Sequence, residues 1–182
     1  MKKTVLTFGL ISGAISATLM LCTIPFVDKI GFDKGMIVGY TSMVISFLMI
    51  FFGVRSYREN AGGGQITFAK AFLIGILITL ISCACYVIAW EFIYFFLMPD
   101  FLEKYSAYVI EKLRSQGQSQ QVIDASIQEM KNFKEMYNNP FINFAMTFVE
   151  PFPVGLIMTL ISALVLRKKK NPSTDVPLPA TA

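Results

Sequence analysis

Four long apolar runs organise the chain, at about 5–27, 36–54, 68–98 and 141–166, and one substantial polar stretch separates the third from the fourth. The third run, Phe68 to Met98, has 31 residues, of which only Lys70 and Glu91 are charged. A helix of that length spans about 46 Å, against about 30 Å for a bilayer's hydrocarbon core. It must therefore tilt or protrude. Lys70 can snorkel at one end, and Tyr86, Trp90 and Tyr94 are placed as an interfacial aromatic belt at the other. The second run has 19 residues and no charge, enough to cross once. The first follows Met1-Lys2-Lys3, a start like that of a signal peptide. It is too long for a typical signal core and lacks an A-x-A-like site after it, so it reads as a retained membrane helix.

Each run carries small residues at or near four-residue spacing: Gly9, Gly13 and Ala17; Gly39, Ser42 and Ser46; Gly75, Thr79 and Cys83; Gly155, Thr159 and Ala163. Such seams let helices approach closely in lipid. The connections are short. Asp28–Gly35 reads as a polar loop, and Arg55–Ile66 as a basic, glycine-rich turn, with Thr67 the N-cap of the third helix. The glycines there do not follow the GxxxxGK[ST] pattern and no strand precedes them, so a phosphate-binding loop is not indicated.

Between Pro99 and Pro140 the period changes to that of amphipathic helices. Phe101, Tyr105, Tyr108, Val109 and Leu113 share one face of the first, which Gly117 should end. Ile123, Ile127, Met130, Phe133 and Tyr137 form the stripe of the second, with Ser119 as N-cap and Asn138-Asn139-Pro140 as its end. The expected fold is all-α: a polytopic four-helix transmembrane bundle over residues 1–170, with a helical hairpin at 99–140 packed on its mouth. Residues 171–182, polar and proline-bearing, read as a disordered tail.

Composition agrees with a membrane domain: 54% of the 182 residues are hydrophobic and the mean hydropathy is +0.58. With both termini placed in the cytoplasm, nine of the sixteen Lys and Arg fall on that side, close to the span ends, and the 99–140 hairpin is extracytoplasmic. Histidine is absent, which excludes His-based triads, HExxH zinc sites and imidazole acid–base chemistry. Cys22, Cys83 and Cys85 all lie in apolar runs and read as small buried hydrophobes.

Candidate chemistry rests on two carboxylates. Glu91 lies near the outer end of the third run. Glu150 lies about 13 Å inside the fourth, where an unpaired charge costs several kcal/mol and commonly marks function. Pro151 and Pro153 follow it, and each frees a carbonyl about one turn earlier. Freed carbonyls beside an acid can hold a cation or water, as in broken transporter helices. Thr147 and Asn143, one and two turns earlier, are expected on the same face. The alternative is a proline kink that shapes packing, with a protonated Glu150 hydrogen-bonded across helices.

The runs RSYREN, GGG, ITFAKAF, YVIAWEFIY, MPDF, NNPF, TFVEPFPVGLI and LISALVLRKK, in that order, resemble a family of bacterial membrane proteins grouped as domain of unknown function 4199. That resemblance covers nearly the whole chain. It implies membrane helices and an inner-membrane location, and it carries no activity, cofactor or site residue. The expected function is a non-catalytic scaffold, accessory or sensor protein. Its partners would be the bilayer and a protein or a second copy of itself, with no nucleic acid and no cofactor. A small oligomeric transporter or channel using Glu91 and Glu150 for a proton or cation is the alternative. An enzyme acting on lipid ranks last, for want of a paired nucleophile.

Overall fold

The computed structural model describes residues 1–168; the tail expected at 171–182 lies outside them. The described residues are helical apart from short turns. Helix α1 spans Lys2–Thr23, and α2 is a single turn at Val27–Ile30. They are followed by α3 (Phe32–Ala61), α4 (Phe68–Phe92), α5 (Phe101–Ser115), α6 (Gln120–Tyr137), α7 (Pro140–Val149) and α8 (Pro151–Leu166). Among the described residues four segments are long and apolar enough to cross a membrane: Lys2–Phe26, Phe32–Ala61, Phe68–Leu97 and Pro140–Leu166. The last comprises α7 and α8, which meet at Glu150.

Helix α4 lies at the centre, packed on α1, α3 and α8. Its contact with α8 is reciprocal. Gly75 of α4 faces Thr159 of α8, and Gly155 of α8 faces Thr79 of α4, so that a Cβ on either glycine would drive into the opposing threonine methyl. The Thr79 hydroxyl lies 3.0 Å from the Thr159 hydroxyl and 3.3 Å from the Gly155 carbonyl. Both threonines are fully buried. The first seam acts the same way: Gly9 and Gly13 of α1 seat against Ile81 and Cys85 of α4, and Ser82 donates to the Gly9 carbonyl at 3.3 Å. Phe47, Ile50, Val54, Ile74 and Ile78 fill the core between these crossings, and Ser12 ties α1 to the Ser46 carbonyl of α3.

Several sequence expectations change. The loop at Asp28–Gly35 contracts to a corner at Gly31, whose φ of 73° suits a residue without Cβ. The second span extends at both ends, to 30 residues, because Phe32–Gly35 and Arg55–Ala61 continue the helix beyond its apolar middle. The basic turn shortens accordingly to 62–66. There Ile66 and Lys168 exchange backbone hydrogen bonds, and Arg58 donates to the Leu166 carbonyl, tying this end of the bundle to the end of α8. Gly39 faces open space rather than another helix, and Gly53, which packs on Ile78 and Phe8, takes the small-residue role in α3. Cys22 is exposed, so only Cys83 behaves as a fully buried hydrophobe. Thr67 caps α4 by accepting from the Lys70 amide. Ser119 occupies the N-cap position of α6 without a side-chain bond. Gly117, at φ 69°, turns the chain just beyond α5.

The crossing geometry ranks two substitutions. Overpacking of a tight contact costs about 1–3 kcal/mol, whereas interhelical hydrogen bonds in membranes average about 0.6 kcal/mol. Gly155→Val is therefore expected to lower the unfolding midpoint in a denaturing-detergent titration by more than Thr79→Val does. Equal effects would show that the close approach does not govern the α4–α8 contact.

Candidate functional site

The aromatic residues expected as a lipid-facing belt point inward instead. Tyr86, Trp90 and Tyr94 recur every four residues and so share one face of α4. That face turns toward α5 and α6. Tyr94 is only 4% exposed, and it packs in a cluster with Leu102 of α5 and Tyr137 of α6, flanked by Trp90, Phe101 and Phe133. Burial beneath the 99–140 segment, which covers this end of the bundle, explains the difference from the expected belt. A π-turn at Ile93–Leu97 then ends the helix before Pro99.

One hydrogen-bonded relay fastens this cap to two spans. The Trp90 indole Nε1–H donates to the Tyr137 hydroxyl at 2.9 Å. That hydroxyl lies 3.0 Å from Thr147 Oγ1, which donates to Asn143 Oδ1 at 3.0 Å. Since the Thr147 proton is committed to Asn143, Tyr137 donates to Thr147. The direction thus runs from Trp90 through Tyr137 and Thr147 to Asn143. Tyr94 adds a bond to Asn138 Oδ1 at 3.1 Å, and Asn139 caps α7 by accepting from the Phe141 amide. Burial pushes the Tyr137 phenol above its ordinary pKa, against the opposing effect of its hydrogen bonds with Thr147 and Trp90.

A second fastening joins α5 to the start of α3. The Phe32 ring sits among Phe101, Tyr105 and Tyr108, with centroids 5.1–5.9 Å away, and Lys112 Nζ lies 2.8 Å from Asp33 Oδ1. Both charged side chains are substantially exposed, and pairs of that kind add little to stability. The aromatic contact is the stronger tie. Residues Phe32 and Asp33 carried no signal of this role in the sequence, because they fall in the segment read as loop.

Between these fastenings lies a cavity of about 630 Å³. Leu19 and Met20 of α1, Gly39 and Tyr40 of α3, Tyr86 and Trp90 of α4, and Glu150 contribute to its lining, and α5 closes it with Phe101, Tyr105, Tyr108, Val109 and Leu113. The apolar face read from the spacing of α5 is thus the cavity wall. On α6 the corresponding stripe is less complete: Ile123 and Tyr137 are buried, while Ile127 stays exposed.

The four candidate residues separate into three roles. Glu150 opens onto the cavity, at the junction where Pro151 starts α8, and its Oε2 accepts from the Tyr86 hydroxyl at 3.4 Å. Both prolines fall in the first turn of α8, where proline is tolerated, and Glu150 itself keeps right-handed helical backbone angles, so the span is interrupted at one residue while its path stays helical. Thr147 and Asn143 do share a face one turn apart, but that face meets Tyr137. Both are buried and serve to anchor the cap. Glu91 does not line the cavity. Its Oε1 is buried without a partner among the described residues, as is Asn143 Nδ2. No hydrogen bond joins Glu91 to Glu150 among the described residues.

Four apolar helices in one bundle, with a helical excursion closing an aromatic cavity at one end, define a multi-pass membrane protein. Residues 7–168 match the family described as "Protein of unknown function (DUF4199)", and the chain belongs to that family. No curated protein and no solved structure matches the chain.

The relay yields a test of the cap. Tyr137→Phe keeps the ring and deletes the hydroxyl, so that the Trp90 N–H loses its acceptor and Thr147 its donor, at a cost of about 1–3 kcal/mol. Trp90 is the single tryptophan. Its fluorescence is expected to change in the variant, and amide exchange over 101–137 to quicken while α1 and α3 stay protected. Unchanged exchange over 101–137 would show that the relay does not hold the cap.

Proposed function

We propose that this protein is a non-catalytic binding protein of the bacterial inner membrane, acting as a sensor or accessory subunit. Both its termini are cytoplasmic and its 99–140 segment extracytoplasmic. The reading rests on one observation: α5 and α6 close over a large aromatic-lined cavity rather than project from the bundle. Pockets of roughly 300–1,000 Å³ with apolar walls and a few polar groups suit small-molecule ligands. A ligand there would touch α5 along its whole apolar face, so occupancy would bear directly on the surface that a protein partner or a second copy of this chain meets. The orientation is supported by Arg55, Arg58, Lys70 and Lys168, which gather at the opposite end of the bundle, where α3, α4 and α8 are tied together. Basic residues close to span ends favour the cytoplasmic side.

A transporter or channel is the second reading, favoured by the proline-marked interruption of the fourth span at Glu150. Liposome flux of protons or cations that is unaffected by Glu150→Gln would remove it.

Two measurements test the principal reading. In intact cells, Gly117→Cys is expected to react with a membrane-impermeant maleimide and Gly63→Cys to stay unlabelled; the reverse pattern would invert the topology. Gly39 borders the cavity, and a Cβ added to it would meet no atom within 4 Å. Gly39→Leu is therefore expected to fill the space with little effect on stability. Native mass spectrometry of wild type released from membranes should retain a small apolar molecule that this variant loses. Retention by neither, with no thermal shift from any apolar additive, would leave the cavity without a binding role.

A further inference from the structure

We infer that the cavity recognises an organic ammonium carried on an apolar chain, with Glu150 as counter-ion and the surrounding aromatic rings as the wall that receives the cation. This deepens the binding-protein reading and rests on it.

The charge on the cavity wall is the first ground. Its charged lining residues are Asp33, Lys112 and Glu150. Asp33 and Lys112 neutralise one another at 2.8 Å. Glu150 has no cation within ion-pair distance among the described residues, and its polar contact is the Tyr86 hydroxyl at 3.4 Å. A carboxylate in an apolar layer is costly unless it finds an opposite charge, and no such partner stands beside Glu150 among the described residues, which leaves the place open to a cation on a ligand.

The wall chemistry is the second ground. Tyr40, Tyr86, Trp90, Phe101 and Tyr105 line the cavity, while the Tyr108 ring beside them already carries the Lys112 ammonium, 5.5 Å from its centroid. Aromatic faces attract ammonium groups, and more strongly once water is excluded. A hard metal ion would instead require several oxygen ligands, and among the described residues no three Asp, Glu, Cys or His come together. The size of the cavity is the third ground. About 630 Å³ far exceeds a proton or a bare ion. Leu19, Met20, Met36 and Val38 line it as well, providing apolar surface for a chain attached to the cation.

An ammonium amphiphile has two sources: an amine-bearing lipid headgroup, or a free amphiphilic amine. Trp90 reports on either, because it lines the cavity and no second tryptophan obscures it. The full chain is placed in nanodiscs of uncharged galactolipid. Decyltrimethylammonium is titrated against its uncharged tert-butyl isostere, following Trp90 fluorescence. Wild type is expected to bind the cationic probe about tenfold more tightly than the neutral one. Glu150→Gln should bring the two within about twofold while keeping neutral-probe binding, which shows that the variant is folded. Glu91→Gln, which alters a carboxylate outside the cavity lining, should keep the wild-type preference. Doping the discs with phosphatidylethanolamine should shift the cationic titration to higher concentration if a lipid headgroup is the resident; an unshifted curve assigns the site to a free amphiphile. Equal affinity of wild type for both probes, unaltered by Glu150→Gln, would overturn the ammonium assignment and leave the cavity reading standing. Binding of neither probe would overturn both.

Discussion

The crossing of α4 and α8 is the contact on which the rest of this structure depends. In lipid, apolar side chains gain little by meeting one another, so helices associate through close packing and interhelical hydrogen bonds. Gly75 and Gly155 each leave room for the opposing threonine, and the two hydroxyls meet 3.0 Å apart in the gap. A larger residue at either glycine would separate the backbones and part the hydroxyls. Since α8 is thereby held along α4, the start of α8 is held too. That start is Pro151, and the residue before it is Glu150. The placement of this carboxylate on the cavity wall thus follows from a small-residue contact deeper in the bundle.

The cap depends on a different kind of force. Helices α5 and α6 have polar outer faces and could not bury enough surface by themselves. They are held by aromatic rings on Phe32, Trp90 and Tyr94 and by a directional set of hydrogen bonds through Tyr137. The indole N–H and the two hydroxyls of the relay each have one acceptor, while Asn143 Nδ2 at its end has none among the described residues. Space remains beneath α5 between these two fastenings, Phe32 joining α5 to the start of α3 and Tyr137 joining α6 to α7. The cap is thus pinned at two edges and hollow between them.

Much of this architecture was legible in the chain. Four apolar runs with small-residue seams required close-packed membrane helices, since backbone groups must be satisfied within each span. The spacing of Phe101, Tyr105, Tyr108, Val109 and Leu113 required an apolar helix face, and Gly117 its end. The proline pair after Glu150 required a break there. Each of these follows from local geometry: the helical period, the room around a glycine, a missing backbone donor. What periodicity does not contain is the partner of a face. Tyr86, Trp90 and Tyr94 form the same stripe whether they meet lipid or protein, and only the fold turned them inward. Asn143 and Thr147 share a face with each other by spacing, but that Tyr137, four residues beyond the apolar Phe133, completes their hydrogen bonds depends on how α6 returns to α7. The cavity and, among the described residues, the lack of a counter-ion at Glu150 belong to no single segment. They arise where several helices meet, and contacts between distant residues are set by packing rather than by the order of residues along the chain.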